Sequence, residues 1–157
     1  MKSLLLRNLV FTILHPGLVV GLFPYLIAEP DIQNTFNTEF GIYHVLGFII
    51  FLFGFIILFH CILNFAIKGK GTLSPIDPTK QLVVSGLYRF TRNPMYVGVM
   101  LMLIAECMIT QSISLWVYSG IVFIAFNLFI TLVEEPRLTR AFGKEYDDYK
   151  KNVRRWF

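Results

Sequence analysis

The sequence predicts an all-α integral membrane protein: four transmembrane helices, a cytoplasmic loop and a C-terminal amphipathic helix. Three observations carry that expectation. Of the 157 residues, 55% are hydrophobic and only 15% charged, and the mean hydropathy is +0.63, whereas about a quarter of a soluble domain is charged. The apolar residues gather in four runs, and about 20 apolar residues suffice for one helical crossing. Lysine and arginine, finally, alternate between the connections. No length remains for a separate water-soluble domain, so residues 1–157 read as a single membrane-embedded domain with its chemistry at the bilayer. The net charge of +4 comes from basic residues flanking the runs, which points to membrane orientation and anionic lipid and not to nucleic acid.

The first run, residues 8–28, contains Pro16 and Pro24 and is expected to kink. It lacks a small-residue cleavage site and reads as an uncleaved span. The second, residues 41–67, would measure about 40 Å as a helix, so it tilts or projects into the cytoplasm with Asn64 near its end. The third, residues 95–110, is short. Only Gln111 and Ser112 separate it from the fourth, residues 113–133, which predicts a tight antiparallel hairpin. A tail helix over residues 137–157 follows from Leu138, Phe142, Tyr146, Tyr149, Val153 and Trp156, which recur every three or four positions with Lys144, Lys150, Lys151, Arg154 and Arg155 between them. It is expected to be interrupted near Gly143 and to lie on the membrane surface or fold over the second loop.

Of the Lys and Arg residues, two precede the first run, none lies in the first connection, five run from Lys68 to Arg92, none lies in the hairpin turn and seven follow Val133. The positive-inside rule therefore places both termini and the second loop in the cytoplasm, with Glu29, Asp31 and Glu39 outside.

Two places concentrate polar chemistry. Asn127, Thr131 and Glu134 are spaced four and three apart and stack on one helical face, about 100° from Glu135. A polar face entering the bilayer is costly unless it meets partners or water, which favours Glu134 over Glu135 as a cavity residue. The second place is the stretch from Ser85 to Tyr96, with two Arg, two Tyr, a Gly turn and Pro94 at the mouth of the third run. Pro94 suits a first helical position, where free N–H groups and the helix dipole suit an anion.

In order and spacing, Gly86, Tyr88, Arg92, Pro94, Tyr96 and Gly98, then Glu134 and Glu135, then Phe142, Gly143, Tyr146 and Tyr149, resemble the signature of the integral-membrane methyltransferases that include isoprenylcysteine carboxyl methyltransferase and phosphatidylethanolamine N-methyltransferase. The resemblance covers roughly the second half of the chain. It implies an S-adenosylmethionine-dependent methyltransferase acting on a lipophilic, membrane-partitioned acceptor. The cofactor is then expected against Lys80, Gln81, Leu82, Val83, Tyr88, Asn93, Pro94, Met95, Tyr96 and Glu134, with Arg92 and Glu134 as candidates for catalysis. A carboxylate suits ribose hydroxyls or the cofactor's cationic groups, and aromatic faces suit adenine or the sulfonium. Two positions depart from the prenylcysteine enzymes: Asn93 stands where they carry His, and Ile130 where they carry a substrate-engaging Arg.

Other features point elsewhere. Glu106 is an intramembrane carboxylate near the outer end of the third run, and with four short spans it suits a small proton-coupled transporter. A non-catalytic adaptor whose tail binds anionic lipid is a further alternative. Neither explains the loop and tail together. His15, His44 and His60 are too scattered for a metal site. Cys61 and Cys107 fall inside apolar runs and read as packing residues, and no Gly-rich dinucleotide motif occurs. In a Cys-free background, cysteines placed at Thr35 and at Thr79 should react with a membrane-impermeant maleimide from opposite sides of the membrane. Reaction from one side contradicts the four-span arrangement.

Overall fold

A computed structural model describes residues 16–37, 40–68 and 81–156; residues 8–15 of the first expected span, with His15, lie outside them, as does Lys80. Every regular element among the described residues is helical. Helix α1 joins a π-helical stretch, Gly17–Leu22, to the α-helical Phe23–Asn37. The expected distortion between Pro16 and Pro24 takes this form: Phe23 N–H bonds the Leu18 carbonyl five residues back, a wider turn that accommodates a proline ring without an N–H.

The polar connection expected after residue 28 is instead helical to Asn37, through Pro30. Packing explains the difference. Ala28 is buried, and Ile27 and Ile32 join it against Cys107 and Leu115, so an apolar face continues past Glu29 and Asp31 and carries the helix with it.

Helix α2, Ile42–Lys68, opens with Gly41 N–H donating to His44 Nδ1 at 3.1 Å. Helix α3, Pro94–Thr110, and helix α4, Ile113–Phe129, form the expected hairpin. Gln111 ends α3 in the left-handed region (φ 52°) and the Ser112 hydroxyl caps α4 by accepting Leu115 N–H at 3.4 Å. Cys107 Sγ lies 3.3 Å from Ser119 Oγ across the antiparallel pair; both cysteines are free and buried.

Helix α2 packs on α3 through glycines. A Cβ on Gly54 would fall 2.7 Å from the Gly98 carbonyl oxygen, and one on Gly98 would fall 2.9 Å from that of Gly54. The two backbones approach too closely for any side chain there, the way small residues join helices in lipid. Around this contact Leu58, Val99, Met102, Leu103 and Val122 form the core, with Val20 from α1.

The surface is apolar on the outside. Two helical stretches, Ile42–Asn64 and Ile113–Phe142, are long and apolar enough to cross a membrane, and only 22% and 17% of their most apolar windows are buried. A soluble protein buries such a helix; here Phe48, Leu52, Phe53, Phe55, Ile56 and Phe59 of α2 face outward, as bilayer contact requires.

Past Phe129 the fourth helix widens into a π-helical stretch, Ile130–Glu134, where Glu135 N–H bonds the Ile130 carbonyl. It continues as α5, Glu135–Phe142, turns at Gly143 (φ 51°, ψ −124°) and resumes as α6, Lys144–Asn152. The break near Gly143 is where the sequence placed it, but the helix ends at Asn152 and not at residue 157. Val153 is extended (φ −126°, ψ 129°), and the carbonyls of Arg154 and Arg155 accept hydrogen bonds from the loop before α3.

Gly98→Val should destabilise the protein by about 1–3 kcal/mol, the scale of overpacking, in thermal melts of the detergent-solubilised chain. Gly120→Ala, with nothing within 4 Å of the added Cβ, should be neutral or stabilise by up to about 1 kcal/mol.

Candidate functional site

The loop before α3 is built to turn sharply. Gly86 has φ +66°, a conformation that L side chains rarely adopt, and opens a 3₁₀ turn, Gly86–Arg89. The turn sends Tyr88 inward, where it is buried with Cys61 and Val83 and packed by Ile57, Leu87 and Met95. Burial pushes its hydroxyl up from the ordinary tyrosine range. Pro94 is buried at the first position of α3, where its missing N–H costs nothing.

Three successive residues of this loop then grip the chain terminus. Thr91 Oγ1 and Asn93 Nδ2 both donate to the Arg155 carbonyl at 3.0 Å, and Arg92 N–H donates to the Arg154 carbonyl at 2.9 Å. Thr91 Oγ1 also accepts Asn93 N–H at 3.3 Å. Asn93 therefore spends its side-chain amide on the tail and does not cap α3.

Charge reinforces the grip. Arg155 Nε and Nη2 meet the two oxygens of Glu135 at 3.0 and 2.9 Å, a bidentate pair. Arg92 Nη1 stands 3.1 Å from Glu135 Oε1, with both side chains under one-fifth exposed. One carboxylate thus faces two guanidinium groups, but the Arg92 contact is an ion pair without a hydrogen bond, since Arg92 Nε and Nη1 are both buried with no hydrogen-bond partner among the described residues.

Two aromatic residues finish the closure. Tyr149 OH donates to the Tyr88 carbonyl at 2.6 Å, and burial raises its pKa, which keeps the donor protonated. Trp156 Nε1 donates to Asn127 Oδ1 at 3.0 Å while its ring lies 5.3 Å from that of Phe123. Of the two sequence alternatives for the tail, this is folding over the second loop.

Glu134 goes elsewhere. Tyr96 OH donates to its Oε2 at 2.9 Å, and the Tyr96 ring lies 4.7 Å from Phe126 at an interplanar angle of 59°. Asn127, Thr131 and Glu134 have different surroundings. Asn127 moors Trp156, and Thr131 lines an open depression with Glu135, Pro136, Thr139, Arg140 and Lys150. The π turn at Ile130–Glu134 shifts the register on which the simple helical face was drawn.

Among the expected cofactor residues, Tyr96 and Glu134 are bonded to each other, and Tyr88, Val83 and Met95 pack together. Pro94 and Asn93 lie between these groups on the chain, Leu82 is half-buried, Gln81 is exposed and Lys80 is outside the described residues. Glu106 is not brought to the site; it lies at the far end of α3, where Thr110 Oγ1 bonds its carbonyl at 2.8 Å. Sequence reasoning passed over Thr91 and the carbonyls of Arg154 and Arg155. Main-chain acceptors carry no residue-type signal.

A sequence model of the phospholipid methyltransferase family matches residues 42–145, more than half of the chain. The match includes α2, where the sequence offered no signature, and stops before the terminal segment that closes the site. Searches among curated proteins and solved structures find no match.

Glu135→Ala leaves the Arg92 and Arg155 charges uncompensated. It should destabilise the protein by about 3 kcal/mol, the lower end for a broken buried pair because Arg155 is partly exposed. Glu134→Ala should cost less, about 1–2 kcal/mol of stability, since it leaves one tyrosine hydroxyl without its carboxylate acceptor; chemical denaturation in detergent measures both.

Proposed function

The chain belongs to the phospholipid methyltransferase family, and from that premise we propose that it transfers the methyl group of S-adenosylmethionine to a lipophilic acceptor drawn from the bilayer. The observation that carries the reading is the pairing of Tyr96 with Glu134 beside the tail closure. Glu134 has one oxygen fixed by the tyrosine, and its Oε1 makes no hydrogen bond among the described residues.

The residues present fit this cofactor. Glu134 Oε1 would accept from a ribose hydroxyl or balance a cationic group, and the orphaned Arg92 Nε is a buried donor for an anionic one. Tyr88, Met95 and Tyr96 would supply aromatic and thioether surface. Val83, Pro94 and the loop from Lys80 to Leu82 would complete the pocket wall, while Asn93 would act through the tail it holds. When bound, S-adenosylmethionine supplies a methyl group already activated by its sulfonium. The protein's share is then alignment and the exclusion of water: Tyr96 fixes the Glu134 carboxylate, and the terminal segment roofs the loop.

We place the loop, the tail and both termini in the cytoplasm, in a four-span arrangement in which α1 and the short α3 join the two longer apolar helices. The acceptor then enters sideways from the bilayer. Ile130 is only 1% exposed, packed where prenylcysteine enzymes carry Arg, so an acceptor carboxylate would lose hydration there without compensation unless Arg89, or Arg137 whose charge acts on Glu134 and Tyr96, reached it. A lipid amine, phenol or thiol is the better nucleophile for this site. A proton-coupled transporter or a lipid-binding adaptor would give the loop and tail closure no task.

Calorimetry on the purified protein should show S-adenosylmethionine binding that Glu134→Gln weakens by about 1–3 kcal/mol, the scale of a hydrogen bond to a charged group. Absence of binding to the wild-type protein overturns the reading. In competition assays with radiolabelled cofactor, a lipid amine should show a higher kcat/KM than a prenylcysteine acid. The reverse order, unimproved by Ile130→Arg, contradicts the role assigned to Ile130.

A further inference from the structure

Helix α2 exposes a nearly continuous apolar surface from Ile42 to Leu63, and His60 and Asn64 interrupt it near the end of the stretch able to cross the membrane. His60 is exposed and Asn64 half-buried. His44, the other histidine of this helix, has an evident task, accepting Gly41 N–H at the helix start. No capping task explains His60 and Asn64, which lie one turn apart and bond to each other, Nδ2 to Nε2, at 2.7 Å. An amide nitrogen only donates, so His60 Nε2 accepts and the ring carries its proton on Nδ1. That leaves a donor, His60 Nδ1–H, and an acceptor, Asn64 Oδ1, on one pair of side chains, and neither has another partner among the described residues.

This pair borders the candidate site. A Cβ on Gly86 would lie 3.1 Å from Asn64 Nδ2 and 3.2 Å from His60 Nε2, so the first residue of the 3₁₀ turn sits directly on the two side chains. Two residues further along the turn, Tyr88 is buried against Cys61, the neighbour of His60. At the end of the same turn Arg89 is exposed and adds positive charge. Polar groups on a bilayer-facing helix are costly without a partner and mark function. Their position is where an acceptor leaving the lipid phase would first meet polar protein.

We propose that His60 and Asn64 dock the polar headgroup of the acceptor lipid at this entrance and so set its specificity. One donor and one acceptor on the same pair suit a zwitterionic phospholipid headgroup, its phosphate oxygen taking the His60 Nδ1–H bond and its amine donating to Asn64 Oδ1. Arg89 favours the same phosphate electrostatically. The inference rests on the methyltransferase reading for the meaning of docking, but the headgroup contact itself is observable without turnover.

The test uses the full chain in nanodiscs and two photoreactive lipids carrying a diazirine close to the glycerol, a phosphatidylethanolamine and a diacylglycerol. The phosphatidylethanolamine should label the segment around His60 and Gly86, and His60→Leu with Asn64→Leu should reduce that labelling about tenfold, the scale of one or two lost hydrogen bonds. The diacylglycerol should label weakly and equally in both proteins. In turnover, the double variant should raise the acceptor KM about tenfold with cofactor Kd unchanged, and His60→Gln should recover part of the loss. Equal labelling by the two lipids, or labelling unchanged in the double variant, overturns the proposal. So does loss of cofactor binding in the double variant, because the pair would then only prop the Gly86 turn. Headgroup-dependent labelling without methylation of any lipid would leave the docking site standing and remove the methyltransferase reading; methylation with an unchanged acceptor KM would do the opposite.

Discussion

Glu135 meets two guanidinium groups at once, bidentate to Arg155 and at 3.1 Å from Arg92, and this end of the molecule hangs on that contact. Arg92 belongs to the loop before α3, Glu135 to the exit of the fourth helix, and Arg155 to the chain terminus. No other side chain among the described residues joins all three through charge. Removing charges from water is expensive, and the geometry compensates it with a bidentate fork and with main-chain bonds from Thr91, Arg92 and Asn93 to the tail on either side. With the terminus seated this way, Trp156 reaches Asn127 and Tyr149 reaches the Tyr88 carbonyl.

The adjoining carboxylate takes no part in that contact. Glu134 and Glu135 are neighbours in sequence yet face different partners, as adjacent helical positions about 100° apart do, and the π stretch at Ile130–Glu134 ends between them. One is consumed by structure, and the other holds a single tyrosine hydroxyl and keeps an oxygen open. Wide helical turns of this kind recur at functional positions because they redirect a side chain without ending the helix. The second π stretch, Gly17–Leu22, has a different origin in the prolines around it.

Much of this was legible in advance. Hydropathy gave the helical class and the hairpin at Gln111 and Ser112, and the spacing of Tyr88, Arg92, Pro94, Tyr96 and the two glutamates gave the family. The preference for Glu134 over Glu135 came from a straight-helix geometry that the π turn replaces, so its stated companions, Asn127 and Thr131, turn out to point elsewhere. The helix running to Asn37 was hidden because Glu29, Pro30 and Asp31 read as a connection, while the buried face made by Ile27, Ala28 and Ile32 depends on a partner hairpin far along the chain. The extended tail after Asn152 was hidden for a related reason. Its cause is a set of carbonyl acceptors met by loop donors more than sixty residues away, and periodicity reports side chains, not main-chain partners.

Loop, exit helix and terminus converge on Glu135, and we propose that the cofactor binds beside that convergence. It is tested most directly by ultraviolet crosslinking of S-adenosylmethionine, radioactive in its methyl group, to the full chain in nanodiscs, followed by peptide mapping. The account predicts label confined to peptides carrying residues 88–96 and Glu134 and abolished by excess S-adenosylhomocysteine. Label that resists competition, or that falls only on peptides around Glu106, would contradict it.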